Sequence, residues 1–189
     1  MLPVILFSIG LAAMIIIAAL ILLQLVKNDF QFWPPPNPHS WQKKAFRALF
    51  RIFFMSLIVL SFVDFHPSST WRYLVGGLIL ISGFGFAVHW TGYLGWRNSF
   101  GEPTELKTNG PFARSRNPVY LVTIVGMYGW ALFVNSSLLA ILLGIWALLY
   151  ITAPMVEEPW LEEEFGDEYR HYKEPVSYTH LTLPTICSV

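Results

Sequence analysis

Residues 119–152 read VYLVTIVGMYGWALFVNSSLLAILLGIWALLYIT, and how this run divides decides the fold. It is apolar throughout except at Asn135-Ser136-Ser137. As one helix, at about 1.5 Å per residue, it would overshoot the hydrocarbon core of a bilayer. Asn-Ser-Ser is a turn and cap signal, because these short side chains bond the free backbone groups at a helix start. The spacing therefore predicts a hairpin of two helices, roughly 119–134 and 137–153. Each is a little short for a full crossing, which fits a small tilt or thicker neighbours.

Immediately upstream lies a long polar run, Lys107–Tyr120, KTNGPFARSRNPVY. Gly110-Pro111 is a turn signal, since Gly tolerates positive φ and Pro fixes its own. Pro118 pushes Asn117 out of helical geometry and then suits the first turn of the helix that follows. Arg114, Arg116 and Tyr120 thus stand at a loop-to-helix junction against the membrane. A guanidinium fork fits a carboxylate or phosphate, and a helix N-terminus adds free N–H groups and a positive dipole end. Two readings stay open: an anion site at the membrane surface, or flanking charge that only sets topology. Further upstream a helix is predicted over roughly 71–96, with Gly83 and Gly85 allowing close approach of a backbone or ligand. His89, Tyr93 and Trp96 recur at helical spacing and share one face. A histidine near membrane depth is a functional candidate; the alternative is a hydrogen bond to a neighbouring helix.

Downstream, Met155–Glu174 holds eight of the twelve acidic residues. Trp160, Leu161, Phe165, Tyr169 and Tyr172 recur at helical spacing, which predicts an amphipathic helix lying on the membrane or on the domain, interrupted near Gly166. Most of these acids read as a solvated face. Glu157 and Glu158 differ, because they stand where a membrane helix leaves the bilayer, near the surface that carries Arg114 and Arg116.

The rest of the chain sets the class. Of 189 residues 54% are hydrophobic and 13% charged, too apolar for a soluble domain. Leu2–Val26 is an uncharged run of membrane-spanning length without a signal peptide's basic start, and reads as a retained first helix. Lys27–Arg51 is a polar connector: Trp33-Pro34-Pro35-Pro36 is stiff and extended, and 41–51 reads as an interfacial segment with snorkelling cations. A second helix follows over roughly 45–65. The expectation is an all-α integral membrane protein with five spanning helices and a C-terminal amphipathic cytosolic helix. With alternating loops, eleven of the twelve Lys and Arg residues fall on one side and only Arg72 on the other. The excess of cations on cytosolic loops then predicts the N-terminus outside and the C-terminus in the cytoplasm. Zero formal charge leaves no nucleic-acid footprint, and a single cysteine, Cys187, excludes a disulfide framework and a cysteine-ligated metal site. No metal is expected.

Two motifs in order carry a resemblance. Gly110-Pro111-Phe112 followed by Arg116-Asn117-Pro118-Val119-Tyr120, and Glu157-Glu158 followed by Leu161, Phe165-Gly166, Tyr169 and Tyr172, resemble the isoprenylcysteine carboxyl methyltransferase family. That family sits within the membrane methyltransferases that include the phospholipid N-methyltransferases. The resemblance covers about residues 70–175 and implies S-adenosylmethionine at the cytosolic ends of the last helices, with a lipophilic acceptor arriving from the membrane. It implies Arg116, Tyr120, Glu157 and Glu158 as the cofactor site, with Arg116 and Glu158 bearing most directly on catalysis, and Gly110, Pro111 and His89 as further candidates. Gly83 or Gly85 corresponds on this reading to the Gly-x-Gly of the phospholipid methyltransferases. Asn117 departs from the pattern, which has His there; Asn cannot titrate, and His89 is the substitute considered. The family's namesake acceptor is a carboxylate on a prenylated cysteine. The rival classes are an NADPH-dependent reductase of the sterol-reductase type, similar in helical layout, and a membrane scaffold without enzyme activity.

The domain division that follows is 1–70 for the first helices and connector, 71–175 for the methyltransferase-like core, and 176–189 for a tail. Val176–Thr185 has neither helical nor strand periodicity and looks like one reading frame of a transposase adapter used in sequencing libraries. The expectation is that the native sequence is lost after about Pro175.

Overall fold

Local start and stop signals place nearly every helix of the chain. The computed structural model describes residues 1–27, 29–102, 104–174 and 176; the tail from 177 onward lies outside them. Pro3 stands in the first turn of α1 (Leu2–Val26). Ser40 starts α2 (Trp41–Val63), its hydroxyl accepting from Lys43 N at 3.3 Å. After α3 (Thr70–Leu94) come a short α4 (Trp96–Ser99) and a 3₁₀ turn over Gly110–Ala113. Pro118 opens α5 (Pro118–Val134), where its missing N–H is no loss. Ser136 caps α6 (Ser137–Thr152), and α7 (Pro154–Phe165) and α8 (Asp167–Lys173) complete the described chain.

Among the described residues there is no strand. Four helical stretches, Leu2–Val26, Trp41–Val63, Thr70–Leu94 and Ser137–Phe165, are long and apolar enough to cross a membrane, and Pro118–Val134 is a shorter apolar helix. The chain is an all-α, multi-pass membrane protein. Its surface agrees with that: Leu78 and Ile81 on α3, Phe62 on α2 and Leu148 on α6 are among the most exposed side chains. Such residues are at home in lipid, so helix association rests on close packing rather than on escape from water.

The hairpin predicted over residues 119–153 is present, turning at Asn135, whose backbone is left-handed at φ 58°. α5 is its inner arm and lies along α3. Gly83 and Gly126 make that contact: a Cβ on Gly83 would run into the Gly126 backbone, and one on Gly126 would stand 3.0 Å from Phe84 N. Gly83 is therefore taken up by helix packing, whereas Gly85 faces open space. On the other side α1 packs along α2, and both pack on α6. Phe53, Leu57 and Leu60 of α2 and Leu139 and Leu142 of α6 are fully buried there.

Three boundaries differ from expectation. The interfacial segment and the second helix are one helix, because Ser40 caps it at residue 41 and no Gly or Pro interrupts it. α3 stops at Leu94, because Gly95 takes φ 95°, so Trp96 leaves the face shared by His89 and Tyr93. The acidic stretch does not begin a separate surface helix at 155. Ala153 keeps helical geometry (φ −51°, ψ −42°), and α7 continues α6 out of the membrane. The break at Gly166 falls where expected, with φ 54°.

Candidate functional site

The connectors 27–40 and 95–117, the N-terminal end of α2, and α7 and α8 all gather at one end of the bundle, around a cavity of about 480 Å³. That is within the roughly 300–1,000 Å³ usual for a small-molecule site. Its polar end is walled by Arg116, Asn117, Glu157 and Glu158. Its deep end runs between the helices and is lined by Ile17, Phe50, Phe54, Phe84 and Trp146.

Two adjacent residues of α7 divide the polar end between them. Neighbours on a helix point about 100° apart, so Glu157 and Glu158 reach different partners. Arg116 Nη1 donates to Glu158 Oε1 at 2.9 Å, with both side chains largely buried. Tyr120 OH donates to Glu157 Oε1 at 2.6 Å, and Trp33 Nε1 donates to the same oxygen at 2.7 Å. Pro118 makes the first pairing possible: by opening α5 it puts Arg116 just outside the helix and Tyr120 in its first turn, both facing α7. The Tyr120 ring lies against Tyr150 of α6 at 4.4 Å, and Tyr150 against Trp146 at 5.6 Å. An aromatic wall thus leads from the carboxylates to the deep end.

The loop before α5 is held from two sides. Tyr172 OH of α8 donates to Phe112 O of the 3₁₀ turn at 2.7 Å, and burial pushes that phenol up to about 12, against a downward pull from Arg116. Val176, Tyr169 and Tyr172 close over Phe112 as a small apolar cluster. At the far end of the loop Glu102 takes the buried Lys43 of α2 on one oxygen and Arg97 Nε on the other, the latter at 2.9 Å. Lys43 first and Arg97 second hold the Glu102 carboxyl down at about 2, against a usual 4.5.

Arg116, Tyr120, Glu157 and Glu158, expected together, are neighbours around the cavity. Gly110 and Pro111 are not on its wall; Gly110, at φ 62°, starts the turn that presents Phe112 to it. His89 is exposed and does not line the cavity. The inward face of α3 is set by Gly83, Ala87 and Thr91, and His89 lies two residues from each of the last two, more than half a turn away. It is therefore no substitute for an imidazole at position 117, where Asn117 itself lines the cavity. Sequence reasoning missed Trp33, Gln24, Lys43 and Glu102. The one available signal was a tryptophan in a polar connector, because a buried indole N–H needs an acceptor.

Among the described residues no group of three or more His, Cys, Asp and Glu side chains could hold a metal ion. A family model described as phospholipid methyltransferase matches residues 71–168, just over half of the 189-residue chain. No curated protein and no solved structure matches the chain.

Proposed function

The chain belongs to the phospholipid methyltransferase family, and on that premise we propose that it is a multi-pass membrane enzyme that uses S-adenosylmethionine to methylate a lipophilic acceptor at the cytosolic membrane face. One observation supports this above the others: a single cavity joins a polar end walled by Arg116, Glu157 and Glu158 to an aromatic chamber at membrane depth. A scaffold whose loop charges only set topology needs no such cavity. The donor and acceptor set fits the cofactor. The Arg116 guanidinium suits its carboxylate, Glu157 and Glu158 suit its ammonium and ribose hydroxyls, and aromatic faces such as Tyr120 and Tyr150 suit a sulfonium or a planar base.

When bound, S-adenosylmethionine supplies a methyl group already activated on a sulfonium. The work left to the chain is to bind, align and keep water away. Arg116 and Glu158, each mostly enclosed, hold one another in place before a ligand arrives. Phe50, Phe54, Phe84 and Trp146 offer an apolar, water-poor path for the acceptor's tail. Following the motif resemblance, the acceptor we put first is a carboxylate on a prenylated cysteine, which has no proton to lose; a lipid amine comes next and would have to lose one. The functional division is then residues 71–175 as the methyltransferase core. We assign the N-terminus to the outside, and the connectors 27–40 and 95–117, the start of α2, and α7 and α8 to the cytosol, from the eleven cations against Arg72 alone. A Ser68→Cys label in a Cys187→Ser background should react with an impermeant maleimide from outside; labelling only after permeabilisation reverses the assignment.

The deciding test is binding of S-adenosylmethionine, S-adenosylhomocysteine and NADPH to the detergent-purified chain. Saturable binding of the first two, lost in Arg116→Ala and weakened in Glu158→Gln, is expected. Binding of NADPH alone would move the protein to the reductase reading.

A further inference from the structure

The family match begins at residue 71, yet one of the two donors on Glu157 comes from residue 33. We infer that the N-terminal connector is a working part of the cofactor end, with Trp33 as a positioning residue that aims Glu157 into the cavity. This rests on the cofactor reading above.

The connector is built to hold that indole still. Gln24, at the end of α1, accepts from Phe32 N at 2.7 Å and from Trp33 N at 2.8 Å, and its amide donates to Trp33 O at 2.7 Å. One side chain thereby satisfies three backbone groups in a stretch with no helix or strand to satisfy them. The Trp33 ring stacks on Phe46 of α2 at 4.2 Å and 27°. From the other side the loop after α3 closes on the prolines: a Cβ on Gly101 would come within 3.1 Å of Pro34 Cβ. Phe32 is fully buried, and Trp33 is 9% exposed and lines the cavity.

The effect of this support falls on one carboxylate oxygen. Trp33 and Tyr120 both donate to Glu157 Oε1, and among the described residues no donor reaches Oε2. Two donors arriving from different elements fix the rotamer and leave Oε2 as the oxygen for a ligand's N–H or O–H groups. A tertiary arrangement made only of residues 71–168 would keep Tyr120 and lose the second donor. Trp33 touches neither reacting group, so its effect runs through Glu157.

The test measures S-adenosylhomocysteine binding by calorimetry on the detergent-purified full chain. Three variants carry β-(3-benzothienyl)alanine, fluorotryptophan or Phe in place of Trp33. Benzothienylalanine keeps the ring's shape and removes the N–H, so its Kd should rise about tenfold, the size of a lost hydrogen bond to a charged group, while the thermal midpoint falls by only about 2–4 °C. Fluorotryptophan keeps the N–H and should restore the parent's affinity. Trp33→Phe should match or exceed the benzothienylalanine loss. Parent-like affinity in the benzothienylalanine protein, or equal weakening by fluorotryptophan, overturns the inference while leaving the cofactor reading intact. Failure of the parent chain itself to bind overturns the cofactor reading.

Discussion

Asp64 and Glu158 stand at opposite ends of the helix bundle, and each carboxylate is 15% exposed. Each is held by a hydrogen-bond donor from a distant part of the chain. At the Asp64 end, the carboxylate accepts from Ser136, whose hydroxyl in turn accepts from Leu139 N at 3.0 Å to start α6. His66 Nε2 lies 3.5 Å from the other oxygen, and His66 N donates to Val134 O at 3.2 Å. These bonds join the end of α2 to the α5–α6 turn, and none of these residues lines the cavity. At the Glu158 end, the same kinds of bond border a cavity of about 480 Å³. Burial and pairing therefore do not separate a fastening from a site. What separates them is whether the paired groups also face room for something else.

The comparison breaks most visibly at Arg116. Arg116→Ala leaves Glu158 enclosed without its partner and should destabilise the fold by about 3–5 kcal/mol while abolishing cofactor binding. Thermal unfolding in detergent alongside calorimetry reads both. Ser136→Ala removes both the α6 cap and the Asp64 partner and should cost about 2–3 kcal/mol, with binding intact. Asp64→Asn should lower stability by about 1–2 kcal/mol, through loss of a charge-assisted bond, and leave binding within twofold of the parent. A binding loss at Asp64→Asn as large as at Arg116→Ala would end the distinction drawn between the two ends.

The smallest effect belongs to the Lys43–Glu102–Arg97 contact at the rim of the cavity. Glu102 has its folded pKa depressed to about 2 from 4.5, so its contribution to stability is complete above about pH 4.5. It fades as pH falls toward 2, because protonation removes the charge that Lys43 and Arg97 face. Thermal midpoints of the parent and of Glu102→Gln should diverge above pH 4.5 and converge below it. A constant gap across that range would show that the contact acts through packing alone.

Much of this was legible in the chain. Pro118 marked the start of α5, Asn135-Ser136-Ser137 marked the turn, and Gly166 marked the last break, because each acts on the backbone within one or two residues of itself. The grouping of Arg116 and Tyr120 with Glu157 and Glu158 was also readable, as two motifs flanking one hairpin. The length of α2 was misread because clustered cations look interfacial, whereas Ser40 and an uninterrupted run to Val63 carry the helix straight through them. His89 was misread because helical spacing gives which residues share a face but not which face looks inward. α5 made that choice by packing on Gly83.

The sequence by itself determined that the protein is helical and membrane-spanning, where its hairpin turns, and that eleven of its twelve cations fall on alternate connectors. Those properties depend on local composition and backbone preference, and need no knowledge of a distant partner. Only the tertiary structure decided that Trp33 meets Glu157 across 124 positions of sequence, that Lys43 meets Glu102, and that Asp64 fastens while Glu158 faces a cavity. A hydrogen bond's strength depends on distance and direction in space, and no spacing along the chain records either when the partners arrive from separate helices.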